Sequence, residues 1–328
     1  MVHILVVGPI HAAGWERLKS SPGIGFKRID EVSVESYAPF VGDADAVLIR
    51  TQPLPAEVIA KASKLKIVSR HGVGYDAVDV AALNARGIPL AIVGDVNSRA
   101  VAEHTLMLML SAARRTVAHD RASRNGQWNI RNAFATVELD GKNLLILGYG
   151  RIGRRVAELA RAFGMQVSAH DPLVAAETMA SAGVHYAASV HAALGTADYV
   201  SLHIPLSPQG PRIGEAELAL MKPTAIIVNA ARGGLIDEVA LDQALRHGRL
   251  GAAGIDVLLA EPPPADHPLL ANDKVTISPH SAGLTEECAA RMAVSSVQNI
   301  LDFFAGRLDP SLVVNAAAIG FANRAPAS

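Results

Sequence analysis

NLLILGYGRIGRRVAELARAF, residues 143–163, reads as a buried strand, a glycine-rich turn and a helix in direct succession. The run NLLIL lacks the polar alternation of a half-exposed strand, which is how a strand covered on both faces of a parallel sheet is written. RRVAELARAF then carries a helical period, and QVSAH forms the next strand, with Asp171 at its end about 20 residues beyond the glycines. In that setting GYGRIG has a physical division of labour: Gly148 permits the tight turn, Gly150 lets the backbone approach a pyrophosphate, and Gly153 lets helix and sheet pack closely. The helix opened by Arg151 and Ile152 offers its N–H groups and positive dipole end to phosphate. These features predict dinucleotide binding. A carboxylate at Asp171 accepts hydrogen bonds from ribose hydroxyls and repels a 2′-phosphate, so NAD is expected over NADP.

Outward from this stretch, short runs rich in Val and Ile alternate with Ala-rich segments of helical period: HILVV, ADAVLI, KIVS and PLAIV in residues 1–97, then NLLILG, QVSAH, YVSLHI, AIIVNA, AGIDV and VTIS in residues 142–280. Strands that alternate with helices predict an α/β fold with parallel sheets. Between the two series, 98–125 reads as one long helix, with Ser98 as its N-cap and Gly126 closing it. Thr285 caps a last helix ending near Gly306, and the tail from Ala316 onward looks frayed. Half of the 328 residues are hydrophobic and the net charge is −1, which leaves no basic footprint for nucleic acid. The single cysteine, Cys288, cannot form an intramolecular disulfide. With no signal-like N-terminus and no membrane-length apolar run, a soluble, cytoplasmic protein with a small-molecule partner is expected, and no metal.

Three polar residues follow strand-like runs of the second series: Arg232 after AIIVNA, Glu261 after AAGIDV and His280 after KVTIS. Singly, each has a bland explanation, respectively a surface salt bridge, a solvated loop charge and a strand-end histidine. Jointly they describe an acid–base site with an anion clamp, because neighbouring strand ends of an open parallel sheet converge on one crevice. Such a site can grip a substrate anion, polarise a neighbouring oxygen and deliver one proton. Arg232 supplies the planar fork, His280 the proton, and Glu261 orients the imidazole and favours its charged form.

The blocks SRHGVGYDAVDV (69–80), GKNLLILGYGRIG (141–153), SLHIPLSPQ (201–209), MKPTAIIVNAARGGLIDEVAL (221–241), AAGIDVLLAEPP (252–263) and ISPHSAG (277–283) together resemble the D-isomer-specific 2-hydroxyacid dehydrogenases, in that family's order and over nearly the whole chain. The resemblance implies two Rossmann-like domains with parallel sheets: a discontinuous, flavodoxin-like substrate domain at 1–97 and 285–328, and an NAD domain at 98–284. It implies a homodimer joined through the 98–125 helix, with Trp128 either an anchor for the partner or a core residue. It places the catalytic roles on Arg232, Glu261 and His280. It also sets Asp256 at the nicotinamide carboxamide, Ala230 near the nicotinamide, and His203 and Pro205 in the wall of the cofactor pocket. On the substrate side it points to Arg50 and Thr51, to the backbone N–H groups of Gly72, Val73 and Gly74, to His71 lining the cleft, and to Asn97 at the junction of the domains. Ala77 departs from the Asn that relatives often carry, so one hydrogen bond near that loop is expected to be missing.

Among family substrates the wording is most similar to members acting on 3-phosphoglycerate, without a C-terminal regulatory domain. Arg50 is then either a 3-phosphate contact or a strand-end residue. Glyoxylate or hydroxypyruvate, a sulfonated hydroxy acid and phosphite remain as alternatives, whereas formate is disfavoured by Glu261, where those relatives carry Gln. The family also contains NADH-sensing corepressors that keep the same residue types, so a binding protein is the alternative of another class.

Overall fold

The computed structural model describes residues 1–31, 33–206 and 212–321. The chain divides into two compact units, Met1–Asn97 with Leu284–Ser328, and Ser98–Gly283. The first is built on a parallel sheet of β1 (Val2–Val7), β2 (Ile24–Ile29), β3 (Ala46–Ile49), β4 (Ile67–Arg70) and β5 (Leu90–Ala91) in the order β2-β1-β3-β4-β5. That is the flavodoxin-like order. The two-residue period of the strands divides them between two cores: Leu5, Val7, Val47 and Ile49 face one, while Ile4, Val6, Ala46 and Leu48 face the other with Val297 and Ile300. Thr285 caps the helix Glu286–Phe304, as the sequence predicts.

The second unit carries β6 (Asn143–Leu147), β7 (Gln166–His170), β8 (His185–Tyr186), β9 (Tyr199–Leu202), β10 (Ile226–Asn229), β11 (Ala252–Ile255) and β12 (Val275–Ile277), all parallel, in the order β12-β11-β10-β9-β6-β7-β8. The order reverses between β6 and β9, which makes a crevice at their carboxyl ends. Leu144 and Ile146 face one core, Leu145 and Leu147 the other.

Four local expectations are corrected. Strands β2 and β8 escape the sequence patterns because both are edge strands: β2 has no buried residue and both residues of β8 are exposed, so neither shows the apolar run of a covered strand. The helix expected over 98–125 is two, Ser98–Arg114 and Thr116–Arg124, broken at Arg115, whose φ of 49° is left-handed. The Ala113 carbonyl, which a continuous helix would give to Val117, accepts instead from the Val137 N–H at 3.0 Å. Ser98 is the first helical residue rather than the N-cap, and its hydroxyl accepts from Arg155 Nε at 2.8 Å. The tail is ordered further than expected: Ala316–Ile319 is helical, and Asn315 receives the Leu90 N–H while donating to Ile88 O and Asn84 Oδ1. Residues 322–328 of that tail lie outside the described residues.

Candidate active site

The glycine loop that follows β6 is shaped by close backbone approaches at two of its three glycines. Gly148 has a φ of 95°, and a Cβ there would lie 2.4 Å from the His203 carbonyl oxygen; at Gly153 it would lie 2.1 Å from the Gly148 oxygen. At Gly150, which precedes the helix Arg151–Ala162, a Cβ would meet nothing within 4 Å. Two glycines therefore serve packing and the third leaves open space at a helix N-terminus, a cradle that fits a pyrophosphate. Asp171, next to the end of β7, accepts the Tyr149 N–H at 2.8 Å and the Leu173 N–H at 2.9 Å, which fixes its carboxylate beside the loop. Arg151 is exposed and Ile152 half-buried, whereas Arg154 donates to the Tyr149 carbonyl and covers that ring.

Past β9, His203 Nε2 shares a hydrogen bond with Ser201 Oγ at 2.8 Å, and Nδ1 is buried with no partner among the described residues. Burial pushes this imidazole down to about 4, so it is neutral. Ala230 is buried and Pro205 exposed; residues 207–209 of the expected SLHIPLSPQ block lie outside the described residues.

Arg232, Glu261 and His280 follow β10, β11 and β12, whose ends are in register at Asn229, Ile255 and Ile277. Asn229 shapes the first turn, accepting the Ala231 N–H and donating to the Arg232 carbonyl. The next residue, Gly233, has no alternative: a Cβ would sit 2.0 Å from the Leu258 carbonyl oxygen, so the loop carrying Glu261 rests directly on the chain beside Arg232. Glu261 accepts the Leu258 N–H through Oε1 at 2.9 Å and holds His280 Nδ1 through Oε2 at 2.6 Å. Burial pushes the Glu261 carboxyl up, but these bonds from His280 and Leu258 outweigh it and hold the group below the usual range. With Nδ1 engaged, the half-exposed ring keeps Nε2 for proton exchange.

His280 itself stands in the left-handed region at φ 51°, which costs a side-chain-bearing residue about 1–2 kcal/mol. Asp256 holds it there. Its carbonyl receives the His280 N–H at 2.7 Å, and its buried carboxylate accepts from Ser278 Oγ (2.6 Å), Ser281 N (2.9 Å) and Ala282 N (3.0 Å). Burial opposes the charge, but hydrogen bonds from His104, Ser278 and the two N–H groups outweigh it and keep the carboxyl below the usual range. The expected neighbour of the nicotinamide carboxamide is thus first a builder of the turn that carries His280.

In the other unit, Arg50 and Thr51 follow β3, and His71 follows β4. Burial lowers the Arg50 guanidinium from its ordinary value, and Thr51 is exposed. His71 is only 5% exposed, and neither ring nitrogen is paired among the described residues. Burial, then the charges of Arg50 and Arg70, push it down to about 4. The loop after β4 is less open than expected, because the Gly72 N–H is taken by the Arg70 carbonyl at 2.9 Å. Val73, Gly74 and Asn97 are half-buried. Ala77 is exposed, and its carbonyl accepts the Leu54 N–H.

Sequence reasoning missed His104, within hydrogen-bond reach of Ser278, and Glu238, which receives the Leu259 N–H and pairs with His267 at 2.9 Å to brace the Glu261 loop. Only the capping position of Asp237 before a helix hinted at the latter.

Comparison with known proteins identifies the family. Residues 106–282 match the model of the D-isomer specific 2-hydroxyacid dehydrogenase, NAD binding domain. The chain belongs to the D-isomer-specific 2-hydroxyacid dehydrogenases. The matched segment is that family's NAD-binding domain, with NAD as its cofactor. It is 39% identical to a D-3-phosphoglycerate dehydrogenase of Methanocaldococcus jannaschii over 95% of the chain, but spans only 59% of that relative's length. To a glyoxylate reductase of Korarchaeum cryptofilum it is 38% identical over 83% of each. A solved glyoxylate reductase from Paecilomyes thermophila superposes with a TM-score of 0.84 at 32% identity, over 96% of this chain and 99% of that one. Among the described residues no helix is long and apolar enough to cross a membrane.

Proposed function

We propose that this family member interconverts a D-2-hydroxy acid and its 2-oxo acid, with 3-phosphoglycerate and 3-phosphohydroxypyruvate as the pair. The observation that carries the reaction class is the 2.6 Å bond from Glu261 Oε2 to His280 Nδ1, which fixes an imidazole with Nε2 free to serve a substrate oxygen. When bound, the nicotinamide supplies the hydride. Arg232 grips the substrate carboxylate and polarises the carbonyl, and His280 Nε2 delivers the proton as the oxygen gains charge. In oxidation the neutral ring takes that proton back. Gly148, Gly150, Gly153, Arg151 and Ile152 hold the pyrophosphate segment, Asp171 the ribose, and Ala230, His203, Pro205 and Asp256 the remaining cofactor wall. The unit built on β1–β5 serves as the substrate domain, through Arg50, Thr51, His71, the 72–74 loop and Asn97.

Phosphate as a second substrate anion is supported by the pair of guanidiniums, Arg50 and Arg70, whose charges both act on His71. A homodimer is supported by the apolar side chains that the Ser98–Gly283 unit exposes, Met107, Val117, Trp128, Phe134 and Val137, of which Val117 and Val137 line a cavity of about 510 Å³. Trp128 is 67% exposed, which rules out its core role.

The test is NADH consumption with 3-phosphohydroxypyruvate, hydroxypyruvate and glyoxylate. The phosphorylated substrate should give the highest kcat/KM, and Arg50→Ala should raise its KM at least tenfold while moving the KM of glyoxylate much less. Preference for glyoxylate would transfer the assignment to the reductases; NADH binding without turnover on any 2-oxo acid would make the chain a sensor.

A further inference from the structure

The turn that presents His280 is tied to a helix far away in the sequence. His104 lies in the helix Ser98–Arg114, and its Nε2 is 2.8 Å from Ser278 Oγ and 3.3 Å from Asp256 Oδ1. The Ser278 hydroxyl has one hydrogen, and at 2.6 Å it is given to Asp256 Oδ1. His104 Nε2 must therefore carry a proton and donate it to Ser278 Oγ, with the carboxylate as its second acceptor. This makes a directed chain, His104 N–H to Ser278 O–H to Asp256, and Asp256 in turn fixes the N–H groups of Ser281 and Ala282 on the far side of His280.

The helix is a rigid support for such a chain. Leu108, one turn beyond His104 on the same face, packs so closely on β11 that a Cβ at Gly254 would lie 2.9 Å from the Leu108 Cβ. The donor is thus held at a fixed distance from the β12 end, and the left-handed His280 gains an anchor from outside its own loop. Buried carboxylates of this kind hold their geometry only when their acceptor sites are filled by directed donors.

We propose that His104 is a positioning residue for the proton-transfer step, acting through Ser278 and Asp256 to hold the turn that aims His280 at the substrate. This inference rests on the reading of His280 as the proton donor. His104 itself is not given a contact with substrate.

The experiment compares His104→Phe, which keeps ring volume and loses the donor, with His104→Gln, whose amide restores an N–H at similar reach. In the Phe variant kcat should fall about 10- to 100-fold, the loss typical of slight misplacement of a reacting group. The NADH Kd and the 2-oxo acid KM should stay within about threefold. In the ligand-free protein, amide exchange at Ser281 and Ala282 should quicken about tenfold as the turn loosens. The Gln variant should recover kcat to within about threefold of the parent. If the Phe variant does not fold, Ser278→Ala removes the same link and carries the same expectations. Unchanged kcat and unchanged exchange in His104→Phe would overturn the proposal, as would a loss of NADH binding in step with kcat that Gln does not repair. His280→Ala is measured alongside: if it turns over at the parent rate while His104→Phe still quickens exchange, the assignment of His280 fails and the tie itself stands.

Discussion

Replacing Gly150 with Ala should separate cofactor binding from folding. Its backbone is extended, at φ −78° and ψ −158°, which any residue adopts, and the added methyl meets no heavy atom within 4 Å. The folded state loses nothing, and restricting the unfolded chain adds about 0.4–1 kcal/mol. Tm should therefore hold or rise by roughly 1–4 °C. The same methyl, however, occupies the space through which a pyrophosphate reaches the helix N-terminus. Forfeiting one hydrogen bond to a charged group costs about 1.5–3 kcal/mol, so NADH affinity should fall about 10- to 150-fold. Gly153→Ala has the opposite profile: its methyl would lie 2.1 Å from the Gly148 carbonyl oxygen, a backbone atom that cannot swing away, and overpacking of this kind costs about 1–3 kcal/mol. Gly148→Ala adds a left-handed φ of 95° to a 2.4 Å clash with the His203 carbonyl oxygen, for a further 1–2 kcal/mol or so. Thermal denaturation without cofactor and NADH fluorescence titration of the three variants check the ranking. A Gly150→Ala protein that binds NADH like the parent, or that loses Tm as Gly153→Ala does, would refute the assignment of open space to the phosphates.

Three further outcomes follow from the same geometry. Glu261→Gln keeps the shape but removes the charge that favours the imidazolium, so the alkaline limb of 2-oxo acid reduction should move to lower pH; a pH–rate profile that coincides with the parent's would break the link from Glu261 to His280. His71, pushed down from 6.5 to about 4 by burial and two arginines, contributes stability that is present above pH 6.5 and lost as pH falls toward 4, at most about 3 kcal/mol. His71→Leu should flatten that acid limb in urea unfolding at pH 7, 5 and 4, leaving the slope due to His203; an unchanged slope would mean that His71 is protonated in the folded state. Trp128→Glu places a charge on the exposed apolar face and should shift sedimentation from dimer to monomer with Tm within a few degrees of the parent, whereas an intact dimer would move the interface elsewhere.

Covered strands were legible because burial on both faces writes an uninterrupted apolar run, as in NLLIL and AIIVN; β2 and β8, at the sheet edges, carry no such mark. The candidate acid–base residues follow a related reason. A residue just past a covered strand lies at the sheet's carboxyl edge, which is why Arg232, Glu261 and His280 were expected there, and of these Glu261 and His280 are joined by a hydrogen bond. What holds them was not legible, because it depends on groups remote in sequence. The helix break at Arg115 is marked by a bond from Val137, and no pattern within 98–125 encodes it. Asp256 reads locally as one more strand-end carboxylate, yet its charge is committed to a turn more than 20 residues away, and His104 reaches that turn across 174 residues.

The same distinction explains why similar strand-end residues can serve different substrates in one fold. The acid–base pair and its turn are fixed by groups within the Ser98–Gly283 unit, whereas the charges that would select a second anion, Arg50 and Arg70, belong to the other. On the proposed reading, substrate choice would change through residues at the ends of β3 and β4 without disturbing the bond between Glu261 and His280. Family membership therefore constrains the reaction more tightly than the substrate, and the Arg50→Ala comparison addresses the part that membership leaves open.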